Sequence, residues 1–294
     1  MLRRRVSDTI IAYVFLAPAL FVLFMFQYRP AFNIFRTSLT NQLLLRPTSQ
    51  FVGLTNYERL FQDERFWNSV RNTFYFVGAS VPIQIGLALL LALALARVLK
   101  RTDFFRTVFF LPVAGSLVAL SVIWEWIYHP RLGALNGVLS VFGAPRIDWL
   151  LDPFWAMPSL VLLVVWTGTG YYMIIYVAGL LDIGKEYYEA ARIDGANRVQ
   201  SFVYITWPLL APTTYLILIL QVINSFQVFT TVFVMTGGGP ARTTEVLVFY
   251  LYQRAFESME FGYASTIAVV LFTFLVTLTI VLRHSYGNRV SYER

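Results

Sequence analysis

Residues 74–96 read FYFVGASVPIQIGLALLLALALA. These 23 residues contain no Asp, Glu, Lys or Arg. As an α-helix the run crosses the hydrocarbon core of a bilayer, which takes ~20 apolar residues at ~1.5 Å each. A barrel strand would be shorter and would alternate apolar with polar residues, and this run does neither. Working outward, five more stretches share its character: Thr9–Tyr28, Val108–Tyr128, Pro158–Val177, Ala211–Met235 and Ala264–Leu282. Glu125 is the single formal charge in all six. The sequence thus predicts an all-α integral membrane protein, six transmembrane helices forming one domain over residues 1–294.

Composition agrees. The chain is 57% hydrophobic and 13% charged, against roughly 45–50% and 25% in soluble proteins. A soluble enzyme and a disordered chain are both excluded, because the apolar residues must face lipid or one another. The lack of cysteine removes thiolate catalysis, disulfides and zinc–thiolate sites. His129 and His284 are too far apart in sequence for a convincing metal site. The net charge of +7 fits the basic loops of a membrane protein better than nucleic-acid binding.

Those loops set the orientation. One set of ends, Met1–Asp8, Arg97–Thr107, Ala178–Leu210 and Arg283–Arg294, has 13 Lys and Arg in 64 positions. The other set, Arg29–Thr73, His129–Met157 and Thr236–Tyr263, has 10 in 102. The denser set is expected in the cytoplasm, with both termini. Arg3, Arg4 and Arg5 before an apolar run imitate a signal peptide. The run continues past Ala17-Pro18-Ala19 to Phe26, so a retained first helix is expected. Arg29–Thr73 is too short and too aromatic for a separate domain. It is expected to form short helices across the external end of the bundle.

One cytoplasmic loop stands apart. Lys185–Pro212 reads KEYYEAARIDGANRVQSFVYITWPLLAP. Helix formers fill Glu186–Ile193, Gly195 occupies a natural left-handed stop, and Asn197 can cap a second helix. In that helix Val199, Phe202, Val203 and Thr206 make one apolar stripe, and Pro208 and Pro212 end it. Ala190, Ala191, Gly195 and Ala196 are small enough to admit another protein's surface. Glu189, Arg192 and Asp194 can fix register at its rim. The alternative is a surface helix that seals the bundle at the headgroups.

The run Glu189-Ala190-Ala191, Asp194-Gly195-Ala196, Phe202, Ile205, Pro208 and Pro212 resembles the EAA loop of permease subunits of binding-protein-dependent ABC importers. Trp207 stands where that family usually has leucine. Phe51-Val52-Gly53-Leu54 with Asn56-Tyr57, Thr236-Gly237-Gly238-Gly239-Pro240, Ala255-Phe256 and Gly262 resemble its carbohydrate branch, the MalF-like sugar permeases. Tyr28-Arg29-Pro30 departs by an arginine inside a usual Tyr-Pro pair, and the long periplasmic domain of some relatives is absent.

The resemblance implies the ABC importer permease fold in a bacterial or archaeal inner membrane. Glu189, Ala190, Ala191, Arg192, Asp194, Gly195 and Ala196 would dock on a dimer of separate ATP-binding subunits, which hold the ATP and Mg. A second permease would complete the pore, and an external solute-binding protein would deliver a sugar. No cofactor is expected on this chain itself. Gly179–Glu186, GLLDIGKE, nearly matches a phosphate-binding loop but ends in Glu186, which cannot supply the Mg²⁺-binding hydroxyl and would repel phosphate. Lys100, the other lysine, has no glycine-rich context.

The fifth span carries the candidate path. On a straight helix Gln221, Asn224, Ser225, Gln227 and Thr231 fall within an arc of about 160°. Polar side chains are costly against lipid, so this face should turn inward. It could line a pore for sugar hydroxyls, with Trp166, Thr167, Tyr171 and Tyr172 beside it as a platform, or serve as hydrogen-bonding glue between helices. Glu125, near Trp124, Trp126 and Tyr128, reads as interfacial, with a proton relay or ligand contact as the alternative. Gly237–Pro240 could shape an external gate or be a plain turn. A stand-alone ion-coupled transporter is the rival function. It usually has buried carboxylates or inverted repeats, and the spans offer only Glu125.

Overall fold

The computed structural model describes the backbone of residues 2–43, 45, 49–96 and 102–287. Lys100 and the basic residues Arg46, Arg97, Arg101, Arg289 and Arg294 lie outside the described residues. The described backbone is almost entirely helical, as the unbroken apolar runs require. Among the described residues five helices are long and apolar enough to span a membrane, or six if one bent pair counts as a single span. The contacts divide into two units.

The first unit holds the residues up to Asp63 together with Leu251–Phe274. Helix α1 (Leu2–Leu23) passes through a π-helical turn (Phe24–Tyr28) into α2 (Arg29–Ser38). The helix therefore continues ten residues beyond Tyr28, where the hydropathy pattern alone would end it. The wide turn ends just before Pro30, whose missing N–H it accommodates. The most apolar window of Tyr13–Ser38 has none of its residues buried within the chain, which suits a helix that is apolar on all sides.

Short helix α3 (Thr55–Gln62) is tied to the end of α2 by residues of the Phe51–Tyr57 motif. Asn56 Nδ2 donates to the carbonyls of Ser38 and Thr40 at 2.8 and 2.9 Å, and Tyr57 Oη lies 2.9 Å from Ser38 Oγ. A charged cluster joins α3 to the turn before the last helix, α15 (Phe261–Gly287). Arg59 binds Glu260, Arg254 reaches both Glu260 and Asp63, and Tyr263 donates to Asp63.

The second unit holds Glu64–Tyr250 and the part of α15 from Leu275. Its frame is α4 (Glu64–Ala96) packed along α8 (Ala156–Asp182), with α12 (Ala211–Phe226) against both. Between α4 and α8 come α5 (Thr102–Ala114), α6 (Leu117–Ile127) and α7 (Ala134–Val141). Gly170 of α8 lets α5 approach, because a Cβ there would strike the backbone carbonyl of Phe109. The stretch expected as one span, Val108–Tyr128, is bent by 105° between α5 and α6. Pro112 cannot donate to the helix ladder, and Ser116 takes an extended conformation (φ −62°, ψ 125°).

The fifth run is also interrupted. Helix α12 ends at Phe226 and α13 (Thr230–Met235) starts after Phe229, whose φ of −141° leaves the helix. Helix α13 then packs on α6. Between α8 and α12 lie α9 (Lys185–Ile193), α10 (Arg198–Ser201), a π-helical turn (Phe202–Thr206) and α11 (Trp207–Leu209). Helix α14 (Leu247–Tyr252) follows α13.

Candidate functional site

Two apolar clusters occupy the second unit. One gathers Phe76, Trp124, Leu163, Val165, Val232 and Phe249, and the other Ala88, Leu89, Tyr172, Met173, Leu210 and Ile217. In sequence, three runs pass from one cluster to the other through polar residues: Ser80 and Gln84 on α4, Thr167 on α8, and Gln221 and Ser225 on α12. These polar residues meet. Gln221 donates to Gln84 Oε1 at 2.6 Å and to the Ser80 carbonyl at 3.3 Å, while Gln84 donates to the Val164 carbonyl at 3.2 Å. Ser80 and Ser225 hydroxyls are 3.4 Å apart.

A central cavity of about 290 Å³ opens within this polar belt. Gln221, Asn224, Ser225, Gln227, Thr231 and Tyr172 all line it, as do Gln84, Thr167 and Gly168. Asn224 Nδ2 donates to Tyr172 Oη at 3.4 Å. Gln221 Oε1 and Thr231 Oγ1 are buried with no hydrogen-bond partner among the described residues. Such atoms are costly to leave unmet, so this wall offers acceptors to a polar guest.

The remaining platform residues point elsewhere. Trp166 meets the ring of Trp124 at 5.4 Å in a tilted pair, and Tyr171 meets the ring of Tyr172 at 5.2 Å from its half-exposed position. Neither lines the cavity. The straight-helix phase places Gln221, Asn224 and Ser225 only. Gln227 and Thr231 reach the cavity because the helix breaks between them. Gln84 was missed by counting charges alone, although a glutamine in an otherwise apolar run is itself a signal.

The loop after α8 forms two short helices at a sharp turn. Helix α9 ends in a Schellman motif: Ala196 N–H donates to the Ala191 carbonyl at 2.9 Å, and Gly195 N–H to that of Arg192 at 3.2 Å. Gly195 has φ +77°, a conformation open to glycine without penalty. Asn197 and Gln200 then form a reciprocal capping box on α10. Tyr188 Oη, 3.0 Å from Thr206 Oγ1, locks the two arms together.

Glu189, Ala190, Arg192, Asp194 and Gly195 are exposed, and Ala191 and Ala196 half-buried. No ion pair among the described residues involves Glu189, Arg192 or Asp194. Beside them stand large apolar side chains that the sequence reading left aside: Ile193 is 87% exposed, with Tyr187 and Tyr204. Only part of the expected apolar stripe is covered by the chain: Thr206 is buried and Phe202 is half-buried against the second cluster. Val199 and Val203 are exposed, and a π-helical turn runs from Phe202 to Thr206.

Comparison with known proteins places this geometry. The family model described as "Binding-protein-dependent transport system inner membrane component" matches residues 61–290. A protein of Bacillus subtilis (strain 168) named "Probable ABC transporter permease protein YurN" is 37% identical over 279 residues, covering 94% of this chain and 95% of that protein. The lactose transport system permease protein LacF of Rhizobium radiobacter is 35% identical over 285 residues, covering 94% of each. Among solved structures, a chain of a bacterial ABC transporter involved in alginate import superposes with a TM-score of 0.86 at 23% identity, covering 99% of each. The chain belongs to the inner-membrane component family of binding-protein-dependent transport systems, and it is a multi-pass membrane protein with the ABC permease fold.

Proposed function

We propose that this chain forms half of the translocation pathway of an ATP-driven sugar importer and receives its driving force through α9. Relatives named for lactose, trehalose/maltose and sn-glycerol 3-phosphate transport support a sugar or related polyol as cargo. The central cavity supplies the matching chemistry of uncharged donors and acceptors, including two acceptors left unmet. In this reading a second permease completes the pore, and a solute-binding protein delivers the cargo. In this reading both termini and the Lys185–Pro212 loop face the cytoplasm.

One observation carries the coupling role. A rigidly capped helix presents Glu189, Arg192 and Asp194, with no ion-pair partner among the described residues, around an exposed Ile193. An apolar anchor ringed by charges is the composition of a protein-docking knob. ATP and Mg belong to the docked subunits. In support, Gly179–Asp182 of the near-match GLLDIGKE are helical, and Glu186 folds back toward Gly184 where a phosphate cradle would need open backbone.

Glu189→Lys and Gly195→Arg test the reading. Each should leave the protein at its normal level in the membrane, reduce co-purification of the ATP-binding subunit and abolish sugar-stimulated ATP hydrolysis. Normal assembly and transport by both variants would refute the docking role.

A further inference from the structure

A second cavity, of about 660 Å³, lies among the loops of the second unit. It is more than twice the central cavity in volume and falls within the ~300–1,000 Å³ typical of ligand sites. Helices α6 and α13 pack on each other and connect the two spaces. At their starts Leu117, Thr230 and Thr231 line the central cavity, and at their ends Glu125, Met235 and Thr236 line the loop-side one.

The loop-side walls are held in place. Tyr128 is buried and donates to the Ser159 carbonyl at 2.8 Å. His129 Nδ1 accepts the backbone N–H groups of Arg131 and Leu132, which leaves Nε2 as the free edge of the ring. Asn136 pins the following loop through Pro130 and Ile147. The Gly237–Pro240 rim is tied down by Thr244, which donates to the Gly239 carbonyl at 2.6 Å.

Against these fixed walls, the Glu125 carboxylate and the Arg131 guanidinium have no hydrogen-bond or ion-pair partner among the described residues. One acid and one base leave the space without net charge. One carboxylate is too few for a metal site, and no group of three metal-ligating side chains occurs among the described residues. Carboxylate and guanidinium both bind vicinal hydroxyls bidentately, and Leu150, Met235 and Pro240 offer apolar surface for sugar C–H faces.

We propose that the loop-side cavity is a second saccharide-binding station, which takes an uncharged sugar through Glu125, His129 and Arg131 before the α6–α13 pair admits it to the central cavity. This rests on the sugar-pathway reading above, so the test carries a reporter in each cavity. The chain has no cysteine, so Leu151→Cys reports on the loop-side wall and Thr230→Cys on the central one. The importer is assembled with its partner subunits in membrane vesicles. The rate at which a charged methanethiosulfonate modifies each cysteine is followed as lactose, trehalose and maltose are added in turn.

At least one of these sugars should slow modification of both reporters. Adding Glu125→Gln or Arg131→Gln should raise the concentration that half-protects Leu151→Cys by about tenfold, while protection of Thr230→Cys by high sugar persists. Protection of Thr230→Cys alone would overturn the second station and leave the sugar-pathway reading standing. Protection of neither would overturn both. Protection of Leu151→Cys by sugar-free solute-binding protein but by no sugar would overturn the station in favour of a protein-docking cleft. Undiminished sugar protection in both charge variants would overturn the assigned residues and the proposal with them.

Discussion

Single residues decide how the loops of the second unit are held. Glu245 is 2% exposed and receives both a bidentate Arg65 and the Ser69 hydroxyl. Asn72 adds bonds to the carbonyls of Arg242 and Glu245, so this corner fixes the chain just after Gly237–Pro240. Glu245→Ala removes the carboxylate from a guanidinium that is itself about a quarter exposed and still lies over the Tyr250 ring. The cost should fall toward the lower end of the roughly 3–5 kcal/mol of a broken buried pair. A fall of several degrees in the unfolding midpoint of detergent-solubilised protein, milder for Glu245→Gln, is the expected reading. Gly170 is a second such residue. Gly170→Val should separate α5 from α8, with loss of folded protein on size-exclusion chromatography, whereas Val165→Ile on the same helix should be tolerated.

At the scale of elements, the breaks matter more than the helices. The interruption at Gln227–Phe229 contains neither glycine nor proline. At its end Phe229 stacks on Phe233 and lies 6.3 Å from the ring of Phe249, a contact made outside the helix. Nothing local in the sequence announces it, so a straight helical projection carried past Phe226 puts Gln227 and Thr231 on the cavity side for a reason the structure replaces with the break. The bend at Gly115–Ser116 was more open to foresight, since Pro112 and Gly115 stand together there. Asn224→Leu and Gln227→Leu test whether the polar belt is a path or glue. Sugar uptake should fall at least tenfold while assembly with the partner subunits stays near normal. An equal loss of assembly would return these residues to a structural role.

For the whole molecule, hydropathy was a sufficient guide to class because lipid forbids unpaired backbone and leaves only helices for such runs. Lengths were less legible. Tyr13–Ser38 continues beyond its most apolar part because a π-helical turn absorbs Pro30, and pattern counting does not see that device. The cavities were invisible for a different reason, since each is assembled from residues far apart in sequence. Gln84 meets Gln221 across 137 positions. The distribution of Lys and Arg adds a prediction at this scale. A phosphatase fused after residue 294 should be inactive in a bacterial host, and a cytoplasmically active reporter at the same place should work. The reverse pattern would invert the orientation and place α9 on the wrong side for nucleotide-driven coupling.

The closed end of α9 has a mechanical consequence. An ordinary helix terminus unravels under load, since its last carbonyls exchange readily with water. Here the amides of Gly195 and Ala196 have already taken that role, and Tyr188 braces the neighbouring arm. A shove delivered at Asp194 therefore finds little slack to consume. In the coupling reading it would reach α8 across the short Ile183–Gly184 link as displacement rather than be spent in fraying the end of α9.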